Sequence, residues 1–177
     1  MITQKWLVDP SHSEVSFKVK HLMITTVTGY FGKFDLEVET VSDDFNTAQK
    51  IVFVAEIDSI NTNDIQRDEH LRSADFFNSV ENKYLKFLGT HYKGIGSDAQ
   101  LTGQLTIGSV TRTITLDVVF GGIVVDGYSQ TKAGFSVSGK LSRKEFGLTW
   151  DAVTEAGNIV VSDEVRINAE IQIVRQS

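Results

Sequence analysis

Val165-Arg166-Ile167-Asn168-Ala169-Glu170-Ile171-Gln172-Ile173 decides the fold class of this chain: every second side chain is apolar and every intervening one is polar or charged. Successive side chains of a strand point to opposite faces, so this pattern buries one face of a sheet and wets the other. Seven earlier segments repeat it. Val15, Phe17 and Val19 alternate with Ser16, Lys18 and Lys20, and Tyr30, Phe34, Leu36 and Val38 with Lys33, Asp35, Glu37 and Glu39. Ile51, Phe53, Ala55 and Ile57 follow, then Leu85 and Phe87, then Leu101, Leu105 and Ile107. Ile114, Leu116, Val118 and Phe120, and then Ala133, Phe135, Val137 and Leu141, complete the set. Composition points the same way, with twenty valines, fourteen isoleucines and sixteen threonines against eleven leucines and eight alanines. β-Branched and aromatic side chains fit a pleated, half-buried surface better than a helix. The chain reads as all-β.

One junction sets a register. Gly108-Ser109 between Ile107 and Val110 is a two-residue loop with glycine first, which suits a type II′ hairpin turn. Pairing 107 with 110 places 105 opposite 112, 103 opposite 114 and 101 opposite 116. The apolar faces then coincide except at Arg112. Only 63–77 reads as helical, with Asx residues for an N-cap and Ile65, Leu71, Phe76 and Phe77 at loose helical spacing. A further single turn is expected at 142–147, where Ser142 and Glu145 form a capping box and Gly147 stops it.

Eight amphipathic strands must hide one face each. Closing the sheet removes its edges, and a barrel of about eight strands has an interior just wide enough for one small ligand. A two-sheet sandwich satisfies the same period. The 177 residues carry no repeat, linker or low-complexity stretch, so a single domain over 1–177 is expected.

Charge and motifs narrow the function. Lys plus Arg number 17 and Asp plus Glu 23, a net charge of −6. This lacks the basic footprint of a nucleic-acid binder, and repulsion from anionic membrane surfaces is expected. There is no cysteine, hence no disulfide, thiol nucleophile or sulfur-ligated metal. The histidines at 12, 21, 70 and 91 show no metal-ligand spacing, and no G-x-S-x-G or phosphate loop occurs. No metal, no cofactor and no catalytic group is expected. No apolar run approaches a membrane span, and the first ten residues carry no apolar signal core, so a cytoplasmic location is expected unless a leader has been removed. Polar residues of interest are the cluster Arg67-Asp68-Glu69-His70, with Arg67 and His70 on one side of the helix and an Asp68–Arg72 ion pair beside them. Arg112 and His21, on inward parities near strand ends, mark the same end of the barrel. Each of these also fits an ordinary charged face or rim.

A series of short motifs runs down the chain, beginning with Trp6-Leu7-Val8-Asp9-Pro10-Ser11-His12-Ser13-Glu14-Val15-Ser16-Phe17, Lys20-His21-Leu22 and Gly29-Tyr30-Phe31. It continues through Ser59-Ile60-Asn61-Thr62, Arg67-Asp68-Glu69-His70-Leu71, Asp75-Phe76-Phe77, Leu101-Thr102-Gly103, Val110-Thr111-Arg112, Arg143 to Gly147 and Asp163-Glu164-Val165-Arg166-Ile167. In this order the motifs resemble the YceI-like family, described as polyisoprenoid-binding. Two departures stand out: the export signal common in the family is missing, and Glu81-Asn82-Lys83-Tyr84 lacks a proline that relatives tend to carry.

The resemblance implies an eight-stranded antiparallel lipocalin-like barrel with one short helix near its mouth, often paired as a homodimer, holding a long-chain amphiphilic lipid. The expected lumen lining is Phe17, Val19, Phe34, Leu36, Phe53, Phe87, Leu105, Leu116, Phe135, Val137 and Ile167. The expected polar mouth is His21, Arg67, Asp68, His70 and Arg112. The leading function is non-enzymatic binding, storage or transport of an isoprenoid or isoprenoid-quinone lipid. The rivals are a fatty acid or fatty amide carrier, an enzyme acting on an isoprenoid quinone precursor, and a stress-response protein with a filled barrel.

Overall fold

The computed structural model describes residues 3–152 and 160–177. Eleven strand segments form one antiparallel sheet: β1 Gln4–Val8, β2 Glu14–His21, β3 Thr25–Phe31, β4 Phe34–Thr40, β5 Ala48–Glu56 and β6 Ile60–Asn61. After the helix come β7 Tyr84–Ile95, β8 Asp98–Ile107, β9 Val110–Val125, β10 Thr131–Ser142 and β11 Val161–Arg175. The order β1-β4-β5-β7-β8-β9-β10-β11 returns on itself because β1 also pairs with β11, giving a closed eight-stranded barrel.

The remaining segments explain how the sequence yields both eight strands and eleven segments. β2, β3 and β6 extend β1, β4 and β5 beyond short interruptions, and they pair with β11 and with one another in the same neighbour order. The first break is the 3-10 turn Pro10–His12, where proline fits the first position and Asp9 accepts the Ser11 N–H. Gly32-Lys33 makes the second, and the 3-10 turn Ile57–Ser59 the third. Each strand therefore runs through the wall and then splays into a flange. With β1–β2, β3–β4 and β5–β6 each counted as one interrupted strand, every pair joins neighbours in sequence except the seam, where β11 meets β1 through Trp6↔Arg175 and β2 through Phe17↔Ile167.

The Gly108 hairpin has the register read from the sequence: Ile107↔Val110, Leu105↔Arg112, Gly103↔Ile114 and Leu101↔Leu116. Gly108 takes φ 61, the left-handed value that position requires. The expected helix is shorter than 63–77. α1 spans Ile65–Arg72, capped by Asp64, whose side chain accepts the Arg67 N–H, and it ends where the Ser73 N–H bonds His70 O. Phe76 and Phe77, counted as helical from their spacing, lie in the turns that follow, and Asn78 there takes φ 50. The turn expected at 142–147 is present as Lys144–Phe146, with Gly147 at φ 82.

Close approach of strands sets two glycines. A Cβ on Gly103 would lie 2.4 Å from Leu88 O and from the Phe87 ring, and one on Gly29 2.2 Å from the Phe17 ring. The core has two centres. One gathers Trp6, Phe45 and Ile173 at the end carrying β1, and the other gathers Phe87, Leu105, Ile107, Phe146 and Leu148.

Candidate functional site

The barrel encloses a cavity of about 470 Å³, within the ~300–1,000 Å³ usual for small-molecule sites. One end is shut by aromatic side chains. Asp44 caps the 3-10 turn Phe45–Thr47, which drives Phe45 into the barrel. Its ring sits 5.2 Å from Trp6, 5.5 Å from Phe120 and 4.9 Å from Phe135, centroid to centroid. Trp6 is wholly buried and donates its indole N–H to Thr40 Oγ1 at 3.1 Å. Buried aromatic pairs of this kind add about 0.5–1.5 kcal/mol each beyond area burial. This floor is rigid.

At the other end the wall opens between the close of β2, the start of β11, α1 and Trp150. Trp150 packs on His70 at 4.7 Å and on Phe76 at 5.3 Å, and His70 lies 5.1 Å from Phe76. His70 Nε2 is 2.9 Å from Asp75 Oδ2, which orients the ring. Arg67 donates through Nε to Thr62 Oγ1 at 2.8 Å and through Nη2 to Thr62 O at 2.7 Å. Its Nη1 has no hydrogen bond among the described residues, and the side chain lines the cavity.

Behind this mouth sits a cation that the expected mouth set had omitted. Arg143 is 3 % exposed and spends its guanidinium on four carbonyls: Ser162 at 2.9 Å, Leu148 and Trp150 at 2.7 Å each, and Val161 at 3.2 Å. Asp151 Oδ2 is 3.5 Å from Nη2. Burial pushes the Asp151 carboxyl up, but the Ala152 and Val161 N–H groups and the charges of Arg143 and Lys144 outweigh it, so its pKa is lowered. Arg143 thus fastens the segment carrying Trp150 to the start of β11. Its signal in the sequence was an arginine following the inward series Phe135, Val137, Leu141, but parity cannot reveal carbonyls that a loop brings back.

The expected lining falls out unevenly. Phe17, Val19, Leu36, Phe53, Phe87, Leu105, Leu116, Phe135, Val137 and Ile167 all line the cavity, as do His21, Arg67 and His70. Three expected residues do not. Phe34 stacks 6.0 Å from Phe53 and joins the core beside the lumen instead, because its strand has just resumed after the Gly32-Lys33 break. Asp68 is buried at 8 % exposure and accepts the N–H and hydroxyl of Thr62. It fixes the β6–α1 connection, and no Asp68–Arg72 ion pair forms among the described residues. Arg112 turns out of the barrel to donate from Nε to Glu145 O at 2.8 Å, since the Lys144–Phe146 turn seats buried Phe146 over that strand end. Aromatic residues missing from the expected set, Phe31, Phe45, Phe76, Phe77, Tyr92 and Trp150, also line it; all but Tyr92, on β7, come from turns and flange rather than from the regular wall.

The chemistry of the lining is one-sided. Among the described residues, its nitrogen-bearing ionisable groups, Lys20, His21, Arg67, His70 and Arg143, all belong to the mouth, and no Asp or Glu lines the cavity. No group of three or more metal-ligating side chains occurs among the described residues.

Fold and site together define a class: a closed antiparallel barrel with an apolar interior, a plugged floor and one polar mouth. The family model of the YceI-like domain matches residues 6–173, and the chain belongs to that family. A UPF0312 protein of Staphylococcus aureus (strain USA300) is 34 % identical over 167 residues, covering 93 % of this chain and 94 % of the relative. Among solved structures, Burkholderia cenocepacia BcnA superposes with a TM-score of 0.80 at 20 % identity, covering 93 % of this chain and 98 % of that one. A polyisoprenoid binding domain from Saccharophagus degradans superposes with a TM-score of 0.73 at 14 % identity, covering 97 % and 98 %. At those identities the two structures establish the fold alone.

Proposed function

We infer that the protein binds a long-chain amphiphilic lipid of isoprenoid or isoprenoid-quinone type, tail in the barrel and head at the mouth, and carries or stores it without altering it. The observation that supports this most is the division of the cavity: apolar wall and aromatic floor within, cation-forming side chains only at the opening. Each methylene moved from water to such a wall is worth about 0.8 kcal/mol. A dozen therefore supply on the order of 10 kcal/mol before the cost of ordering the tail. The cations Lys20, His21, Arg67 and His70 at the opening favour head groups that are anionic or rich in acceptors, such as a carboxylate, a phosphate or a quinone, over amines. The polyisoprenoid ligand class given for the Saccharophagus degradans domain agrees with the tail.

The deciding experiment is organic-solvent extraction of protein purified without detergent, followed by mass spectrometry. A prenyl lipid at about one per chain is the expected result. A fatty acid or fatty amide would keep the carrier and change its cargo. Conversion of an added quinone precursor would replace it with an enzyme. An empty extract together with no uptake of prenyl alcohols or fatty acids would overturn the reading.

A further inference from the structure

We propose that the β2–β3 hairpin is a docking tip that sets the barrel mouth against a lipid bilayer carrying anionic head groups. This rests on the carrier reading above. The tip is the loop Leu22-Met23-Ile24, closed by the Ile24 N–H bonding His21 O at 3.1 Å. Met23 and Ile24 are 60 % and 76 % exposed. Leu22 and Met23 have φ of 52 and 60, a left-handed conformation that hairpin tips ordinarily give to glycine or asparagine. Bulky apolar residues thus occupy strained backbone where small polar ones would be more stable, and of the tip residues Met23 and Ile24 face solvent while Leu22 is half-buried. Backbone strain of that kind persists where the strained group is used.

The charge around the tip is also unlike the rest of the molecule. From Val15 to Phe31 the hairpin carries Lys18, Lys20 and His21 and no carboxylate, in a chain of net charge −6. Lys18 stands directly opposite Arg166, and Arg166 opposite Lys140, so three cations lie side by side across adjacent strands. Like charges in that position are destabilising unless an anion covers them, and Glu164 reaches only Lys140 and Arg166 of the three. The carboxylates on the adjoining β11 are engaged: Glu164 lies 3.8 Å from Lys140 and 3.6 Å from Arg166, and Asp163 accepts the Ser142 hydroxyl at 2.7 Å. Neither Lys18 nor Lys20 has an ion-pair partner among the described residues. At no more than ~3.3 Å per residue, Lys20 lies within about 10 Å of Met23 and Lys18 within about 17 Å. With Met23 seated below head-group level, Lys20 comes within about one Debye length of the anionic surface at 0.1 M salt and Lys18 to its edge, while the distant acidic surface is screened.

Position gives the arrangement its use. Val19, Lys20 and His21 line the cavity, and the tip follows immediately. Met23 and Ile24 seated among acyl chains, with Lys18 and Lys20 at head-group level, bring the mouth to the interface. A lipid tail then passes between bilayer and barrel without crossing water.

The test is flotation of the full chain with phosphatidylcholine vesicles, with and without phosphatidylserine. The parent is expected to co-float with the anionic vesicles and to be released by salt. Lys18→Gln, outside the cavity lining, should weaken partitioning by up to about fivefold. Met23→Ser with Ile24→Ser should abolish it. Both variants should melt no lower than the parent and keep its uptake of parinaric acid from solution. A parent that takes up parinaric acid but ignores both vesicles overturns the docking proposal alone. So does a tip variant that floats like the parent, or a dimer that the tip variant disperses. A parent that takes up no parinaric acid and no prenyl alcohol overturns the carrier reading instead.

Discussion

Replacing Arg143 by methionine keeps the aliphatic volume and removes five N–H donors at once. Four carbonyls and the Asp151 carboxylate lose their shared partner in a site only 3 % exposed. Breaking a buried, hydrogen-bonded charge by removing one partner costs about 3–5 kcal/mol. In a chain of this size each kcal/mol moves the melting temperature by about 2–4 °C, so a drop of roughly 6–20 °C is expected. Lysine keeps the charge but has three donors instead of five, and should fall between the two. The assay is a thermal melt followed by circular dichroism, read beside tryptophan emission. The Trp150 carbonyl is one of the four acceptors, so its indole should move toward solvent and its emission to the red in the methionine variant. A methionine variant that melts within about 2 °C of the parent would refute the assignment of Arg143 as the fastening of the mouth.

The other predictions concern packing, the mouth and acid. Gly103→Ala should destabilise by about 1–3 kcal/mol, measured by urea denaturation, because the new methyl meets the Leu88 carbonyl at 2.4 Å and backbone cannot step aside. His70→Ala should weaken lipid uptake severalfold in a parinaric acid titration, whereas Arg112→Ala should leave it unchanged, since Arg112 is spent on Glu145 O outside the barrel. Stability should fall in acid. The Ser11 hydroxyl, with His12 beside it, holds the Asp9 carboxyl at about 2 against its ordinary 3.8. Its contribution is complete above the ordinary value and vanishes as pH drops through about 2. Melts taken across that window should therefore be flatter for Asp9→Asn than for the parent.

Much of the wall was legible because alternation is a local property that closure preserves. All eight alternating segments fall in the eight strands, save that Ile57 begins the 3-10 turn after β5 and Tyr30 is parted from Phe34 by the Gly32-Lys33 break. Gly108-Ser109 set the pairing of 101–107 with 110–116. β1 and most of β3 escaped, since Gln4–Val8 is short and Thr25–Gly29 sits in a flange where the inner face is only partly covered. The helix was overextended because Phe76 and Phe77 satisfied a helical spacing while serving the mouth from a turn. Polar residues were harder still. Parity put Arg112 inward, but a flexible side chain at a strand end can choose another acceptor. Asp68 and Arg143 took partners, Thr62 and the 148–162 carbonyls, that only the folded loops supply.

The seam between β11 and the first two strands has a bearing on the life of the chain before it folds. All other pairings join neighbours, so a meander can grow as the polypeptide emerges, but Phe17↔Ile167 joins residues from opposite ends. At about 5–20 residues per second, synthesis of 177 residues occupies roughly 10–35 s. Through nearly all of it the inward faces form an open, curved trough with two unpaired edges. Closure waits for the last strand and pays the largest loop entropy of any step. A ribosome-bound chain in that interval is an apolar gutter, and a lipid lying in it would be enclosed when the final strand zips home.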